Sequence, residues 1–326
     1  MNSRRSLLAG AAALAAPAFW PLGAHAQDKY PSKHITLIVP QAPGGANDII
    51  GRALAQALAP TLGASVIVEN RQGAGGNVGT AYVARQPKDG YTLLLTAQSA
   101  QTINPFLYKS TGFDPVKDFD PVMVVGAAPY LLAVNPNVPA KNLRELVALA
   151  KAQPGKLHYA SAGNGTVNHL LGEMLNTAAG TQIVHVPYRG ASAAATDVVG
   201  GQVPMTFGSF PGLMPFAKSG QLRILGVCTE KRTVLAPDLP TLAETIPGLH
   251  ANAWYGLFVP AGTPKEIAVR LQAEISMLLA APEIKERFAG LGVEATPSTP
   301  DQLAALVRDD LVRWQKIVKD SGARVD

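Results

Sequence analysis

The strongest constraint on this chain is its alternation of short apolar runs with stretches of helical periodicity. Nine runs read as strands: His34–Val39, Ser65–Glu69, Tyr91–Thr96, Tyr130–Val134, Leu157–Ser161, Gln182–Val186, Val203–Gly208, Leu222–Val227 and Trp254–Val259. Helical patterns separate most of them. Ile50, Ala53, Leu54, Ala57 and Leu58 fall on one face of the first, and Val167, Leu170, Leu171, Met174, Leu175 and Ala178 on one face of another. Strands that alternate with helices predict βαβ units, so the fold class is α/β with mostly parallel sheets flanked by helices. The C-terminal part differs. "TPKE" (Thr263–Glu266) and "TPDQ" (Thr299–Gln302) both read as capping boxes with proline at the first helical position, predicting two long closing helices. The last of these runs to about Asp320, with Leu303, Leu306, Val307, Trp314 and Ile317 on its apolar face.

The first 26 residues stand outside this pattern. Arg4 and Arg5 precede the apolar run Leu7–Ala16, which is too short to span a bilayer, and "AHA" suits cleavage after Ala26. "SRRSLL" resembles a twin-arginine export signal; an ordinary secretory signal with two basic residues is the other reading. Cleavage leaves 300 residues and, with both signal arginines gone, lowers the net charge from +5 to +3. That charge is too mild to imply nucleic-acid binding. The single cysteine, Cys228, excludes an internal disulfide, and its apolar strand context makes it a core residue.

Two crossings between α/β units place lobe 1 at 27–127 plus 251–326 and lobe 2 at 128–250, with a ligand cleft between them; two consecutive domains would leave the same pattern. Ligands of open parallel sheets bind where strands end and helices begin. Two such junctions are glycine-rich: "PGGAND" (Pro43–Asp48) and "SAGNGTVNHL" (Ser161–Leu170). Unpaired N–H groups and the positive end of the helix dipole suit a small anion at each. An ordinary turn, with Asn47 or Thr166 capping its own helix, is the alternative. Asp48 would repel an anion and is expected to turn back onto its helix or to pair with Arg52, while Arg189 is a candidate carboxylate clamp. No G-x-x-x-x-G-K-[ST], G-x-S-x-G or H-E-x-x-H occurs, and "GAGGNVG" (Gly73–Gly79) has Val78 where a dinucleotide fingerprint needs its third glycine. His169 and Glu173 form an i,i+4 pair with no further metal ligands near in sequence, and His185 reads as a packed strand residue.

These loops carry a resemblance. "YPSKHITLIVPQAPGGANDIIGRALAQAL", "VIVENRQGAGGNVGTAYVARQPKDGYTLLL", "PGKLHYASAGNGTVNHLLGEML", "VPYRGASAAATDVVGGQV" and "PAGTPKEI" follow in the order found in the Bug family, the receptors of tripartite tricarboxylate transporters. The resemblance runs from Gln27 to Asp326. It implies a two-lobed periplasmic binding protein fold (type II, Venus-flytrap), no cofactor, no metal and no catalytic residue. It also implies a monomer in the periplasm that captures a small organic carboxylate and delivers it to transporter membrane subunits. A ligand-sensing input for a two-component receptor and an exported hydrolase are the alternatives. Carried over by motif, the ligand-binding residues are Gly44, Gly45, Ala46, Asn47 and Asp48 in the first loop and Gly163, Asn164, Gly165 and Thr166 in the second. Gln98, Ser99, Tyr188, Gly190, Ser192 and Ser209 line the rest. Members often carry an aspartate where this chain has Gly208; its absence disfavours an amino-acid ligand and favours an amine-free carboxylate.

Overall fold

A computed structural model of the chain describes residues 30–325, apart from Gly45 and the side chain of Asn252. The expected export signal and its expected cleavage after Ala26 lie outside these residues.

Nine strands form one curled mixed sheet in the order β2-β1-β3-β9-β4-β7-β5-β6, with β8 also against β4. One half holds β1 (Ile35–Val39), β2 (Val66–Asn70), β3 (Thr92–Ala97) and β9 (Asn252–Pro260). The other holds β5 (His158–Ser161), β6 (Val184–Pro187), β7 (Met205–Ser209) and β8 (Arg223–Val227). The βαβ strands pair in parallel (β1 with β2 and β3, β5 with β6 and β7). The antiparallel pairs all involve β4 (Phe119–Val134) or β9. Over its 16 residues β4 first lies beside β9, then passes between β7 and β8. It therefore belongs to both halves.

All nine expected strands are present. The early part of β4 was not expected, because Pro121, Gly126 and Pro129 punctuate it. Its pairing with β9 shifts register between Pro121 and Met123 and again between Val124 and Gly126, so these irregularities absorb residues that a regular ladder rejects.

Helices cover both faces: α1 (Ala46–Leu62), α2 (Asn77–Ala84), α3 (Asn104–Leu107), α4 (Leu143–Ala152), α5 (Val167–Ala179), α6 (Ala191–Val199), α7 (Phe210–Lys218), α8 (Lys265–Ala280), α9 (Pro282–Gly290) and α10 (Pro300–Ser321). Consecutive strand residues serve opposite cores, as the two-residue period requires. Leu37 and Val39 pack with α1 and α8, whereas Ile38 packs with Leu303 and Val307 of α10. Likewise Leu132 and Val134 face α4 and α5, whereas Leu131 and Ala133 face α6 and α7. Cys228 is a fully buried free thiol, pushed well above its usual pKa by burial, as expected of a core residue.

The C-terminal expectations divide. The Thr299 box forms as read: Thr299 Oγ1 accepts the Gln302 N–H at 3.2 Å, and Gln302 Oε1 accepts the Thr299 N–H at 2.8 Å. The Thr263 box does not form. Thr263 Oγ1 donates to the Pro260 carbonyl at 2.7 Å, and Pro264 takes the cap position without a side-chain bond. A third helix, α9, sits between the two expected ones.

Helix α10 touches both halves. Leu303 and Val307 join the core of the first, and Trp314 and Val318 that of the second. Between them Asp310, 6% exposed, accepts hydrogen bonds from Gln98 Nε2 at 2.5 Å and Trp254 Nε1 at 2.8 Å. Burial raises its carboxyl pKa above the usual range, against the opposing effect of these two donors.

Candidate functional site

A cleft of about 480 Å³ opens between the two halves. Its walls are Pro40–Ala42 after β1, Gln72, Gly73, Gly75 and Gly76 after β2, Ser99 after β3, Asn104, Leu107 and Tyr108 of α3, Tyr130 of β4, and Ala162 with Asn164 to Asn168 after β5. Ala191 and Val325 complete it. Among the described residues no Asp, Glu, Lys, Arg or His lines it.

The second loop is built from the residues the sequence singled out. Gly163 and Gly165 hold φ of +126° and +74°, values that L side chains rarely adopt. A Cβ on Gly165 would stand 2.8 Å from Leu107 Cδ1. Thr166 is the N-cap of α5: its hydroxyl donates to the Gly163 carbonyl at 2.7 Å and accepts the His169 N–H at 3.5 Å. Its one proton is thereby used within the loop. Gly163 N–H goes to Ser161 Oγ at 3.1 Å, and Gly165 N–H to His169 Nδ1 at 3.1 Å. The first N–H groups of α5, on Val167 and Asn168, have no helical carbonyl to reach, and both residues face the cleft. They offer an anion backbone donors at the positive end of a 13-residue helix.

Behind this loop lies a stack of rings. His169 and His185 are 3.9 Å apart between centroids and 16° from parallel, and Tyr159 stacks on His185 at 5.0 Å. Because Gly165 N–H donates to it, His169 Nδ1 is the unprotonated ring nitrogen. Burial lowers both imidazole pKa values. His185 falls to about 4 with a further contribution from its neighbour, and His169 falls despite the opposing pull of Glu173. Ser161 Oγ lies 2.6 Å from His185 Nε2, a spacing that suits a nucleophile and its base. Ser161 is fully buried, however, and lines no part of the cleft, so this pair braces the loop.

The first loop is arranged differently. Gly44 N–H donates to Asp48 Oδ2 at 2.9 Å, and Arg52 closes on the same carboxylate at 2.9 and 3.0 Å. Burial opposes ionisation of Asp48, but the bonds from Arg52 and Gly44 prevail and hold its pKa below the usual range. Asp48 therefore turns back onto its own helix, as expected. Asn47 is fully buried with neither amide atom hydrogen-bonded, and Ala46 opens α1.

Of the expected site residues, Ser99, Asn164, Gly165 and Thr166 meet in the cleft. Ser192 and Ser209 line a smaller pocket of about 150 Å³ that shares Asn168 and Ala191 with it. Gly44, Ala46, Asn47, Asp48 and Gly163 stand outside the cleft lining, and Gly45 is outside the described residues. Gln98 is turned to Asp310. Tyr188 OH donates to Asp197 Oδ2 at 2.7 Å, Gly190 N–H donates to the Ala162 carbonyl at 3.2 Å, and Arg189 is exposed outside the lining.

Sequence reasoning missed two walls. Tyr130 sits where β4 crosses, its hydroxyl without a protein partner among the described residues and its pKa pushed up to about 12 by burial. The run Gly73–Gly76 holds φ of +140°, +46°, +66° and +102°. Four left-handed residues in sequence curl the chain against Asn104, whose Nδ2 donates to the Gly75 carbonyl at 3.1 Å. The glycines signalled a loop; its place on the cleft depends on α3. Among the described residues no group of three or more His, Cys, Asp or Glu is placed to hold a metal, and no helix is long and apolar enough to cross a membrane.

Comparison with known proteins places this geometry in context. The family model described as tripartite tricarboxylate transporter family receptor matches residues 50–323. Protein BugT of Bordetella pertussis is 36% identical over 300 residues, covering 91% of this chain and 92% of BugT. An R. palustris protein solved with adipate is 32% identical at a TM-score of 0.80, covering 90% of this chain and 99% of that one. MatC from Rhodopseudomonas palustris, with bound malate, is 31% identical at a TM-score of 0.74, covering 89% and 100%.

Proposed function

The chain belongs to the tripartite tricarboxylate transporter receptor family, and from that membership we propose that it is a periplasmic solute-binding protein for a small organic carboxylate. The observation that carries the reading is a cleft without charged side chains whose donors are backbone N–H groups at the start of α5. Such donors are fixed in direction and cost no side-chain ordering when an anion arrives. Two relatives solved with dicarboxylates, adipate and malate, support the class of ligand.

The rest of the reading follows from the family. The protein is exported after cleavage at Ala26, acts as a monomer and hands its ligand to the membrane subunits of the transporter. The lobes are 27–127 plus 251–326 and 128–250. β4 and β9 are the crossing strands, and α10 is a strap packed on both sides. Closure brings the first loop, Gly44 to Asp48, and the rim residues Gln98, Tyr188 and Gly190 toward the ligand held by the second. The protein has no catalytic role.

A thermal-shift screen of the mature protein against carboxylates tests this, since a ligand of the folded state raises apparent stability. Tm rises with at least one carboxylate and not with amines or neutral sugars. No shift with any carboxylate, or catalytic consumption of one, overturns the reading. Mass spectrometry of material released from freshly purified protein gives an independent check.

A further inference from the structure

We propose that the pocket of about 150 Å³ beside the cleft receives an apolar group of benzene-ring size, carried by the carboxylate that the cleft holds. The inference rests on the carboxylate reading and narrows it to an aryl monocarboxylate.

Position is the first argument. The pocket lies between α6, α7 and the end of β7, and it meets the cleft at Asn168 and Ala191. Asn168 also carries one of the two α5 N–H groups that face the cleft. An acid held there by its carboxylate has this pocket as the nearest recess for the rest of the molecule.

Lining is the second. Ala195, Phe207, Leu213 and Phe216 supply apolar wall. Of the polar lining side chains, Thr206, Thr196 and Asn168 are already bonded, and the Ser192 and Ser209 hydroxyls stand at the rim. Thr206 Oγ1 donates within reach of the Ala160 and Phe207 carbonyls at 2.8 and 2.9 Å, Thr196 Oγ1 donates to Ser192 O at 3.0 Å, and Asn168 Nδ2 donates to Phe207 O at 2.5 Å. Among the described residues no Lys, Arg, Asp or Glu lines the pocket. A second carboxylate or an ammonium placed here loses its hydration and gains no charged partner. An apolar group carries no charge to desolvate and buries its surface against Ala195, Phe207, Leu213 and Phe216.

Gly208 settles why no acid is presented from the pocket floor. Leu213 Cδ1 stands 2.6 Å from where a Cβ on Gly208 would be, so the leucine occupies the space any side chain at that position needs. Size is the last argument: a cavity of about 150 Å³ has room for one benzene ring.

Calorimetric titration of the mature protein with benzoate, phenylacetate, succinate, adipate and L-aspartate tests this. One of the two aryl acids binds at least about tenfold more tightly than succinate, adipate or aspartate. Thr196→Trp, at an exposed position on the pocket rim, lowers aryl-acid affinity at least about tenfold more than it lowers acetate affinity. Leu213→Ala, which widens the pocket, shifts preference toward larger aryl acids. Tighter binding of a dicarboxylate or of aspartate overturns this inference and leaves the carboxylate reading standing. Equal losses for aryl acid and acetate in Thr196→Trp also overturn it. Failure of every carboxylate overturns both.

Discussion

The two glycine-rich junctions look alike as sequence and differ in what satisfies them. At Gly44–Asp48 the loop N–H is taken by a carboxylate from its own helix, and Arg52 locks that carboxylate in place. The positive end of α1 is thus neutralised from within. At Gly163–Thr166 the N–H groups are taken by neutral atoms: a serine hydroxyl, a threonine-bonded carbonyl and an imidazole nitrogen. No negative charge sits at the start of α5, so its positive end remains for an incoming anion. What separates the two junctions is the charge of the group that caps each.

The glycines give the largest test of this contrast. Gly165→Ala meets both a left-handed backbone, costing about 1–2 kcal/mol, and overlap with Leu107. It should lower carboxylate affinity more than about tenfold and visibly lower Tm. Gly44→Ala also has a positive φ, but its Cβ meets nothing within 4 Å. It should cost only the backbone strain and leave affinity within about threefold. Equal affinity losses in the two variants would break the contrast.

Thr166→Ala comes next. Loss of the cap and of the bond to Gly163 should destabilise the protein by about 1 kcal/mol and weaken binding severalfold. Thr166→Ser should restore both, as read by denaturant unfolding and calorimetry.

Acid acts on the second loop alone. His169 and His185 hold pKa values lowered chiefly by burial, His185 to about 4. Unfolded histidine takes its proton near pH ~6.5, so the unfolded chain binds more protons between that pH and the folded values. The stability these rings contribute is complete above pH ~6.5 and falls as pH drops toward about 4. Protonated His169 can no longer accept the Gly165 N–H. Tm and carboxylate affinity should therefore decline together over this range, and the affinity decline should shrink in His169→Gln. A pH-independent affinity between 7 and 5 would show that the imidazole does not hold the loop.

The smallest effect is expected at Asp48. Asp48→Asn should cost about 0.5 kcal/mol from the helix-end charge and its ion pair and change affinity less than about twofold. A large gain in affinity would mean that Asp48 repels the ligand when closure brings the first loop toward it, and that Arg52 does not neutralise it.

Much of this was legible because the forces involved are local. Strand positions follow from short apolar runs that both cores bury, and the Thr299 box from Thr299, Pro300 and Gln302 within one turn. Where a distant partner intervened, local reading failed. β4 runs through two prolines because β9 tolerates its bulges, and Thr263 abandons its helix for the Pro260 carbonyl. The same holds in the site. The loop 163–166 could be marked as a candidate anion site from its glycines. That Tyr130 would face it from a crossing strand could not.

Sequence alone determined the α/β alternation, the strand-to-helix positions of the glycine loops and the fate of Asp48, whose partners lie four residues away on either side. The tertiary structure decided which N–H groups remain for a ligand, how Gln98 and Asp310 join across 212 residues, and that Leu213 fills the space above Gly208. Backbone preferences and i,i+4 contacts act within a turn or two. A cleft is made of residues that only chain folding brings together.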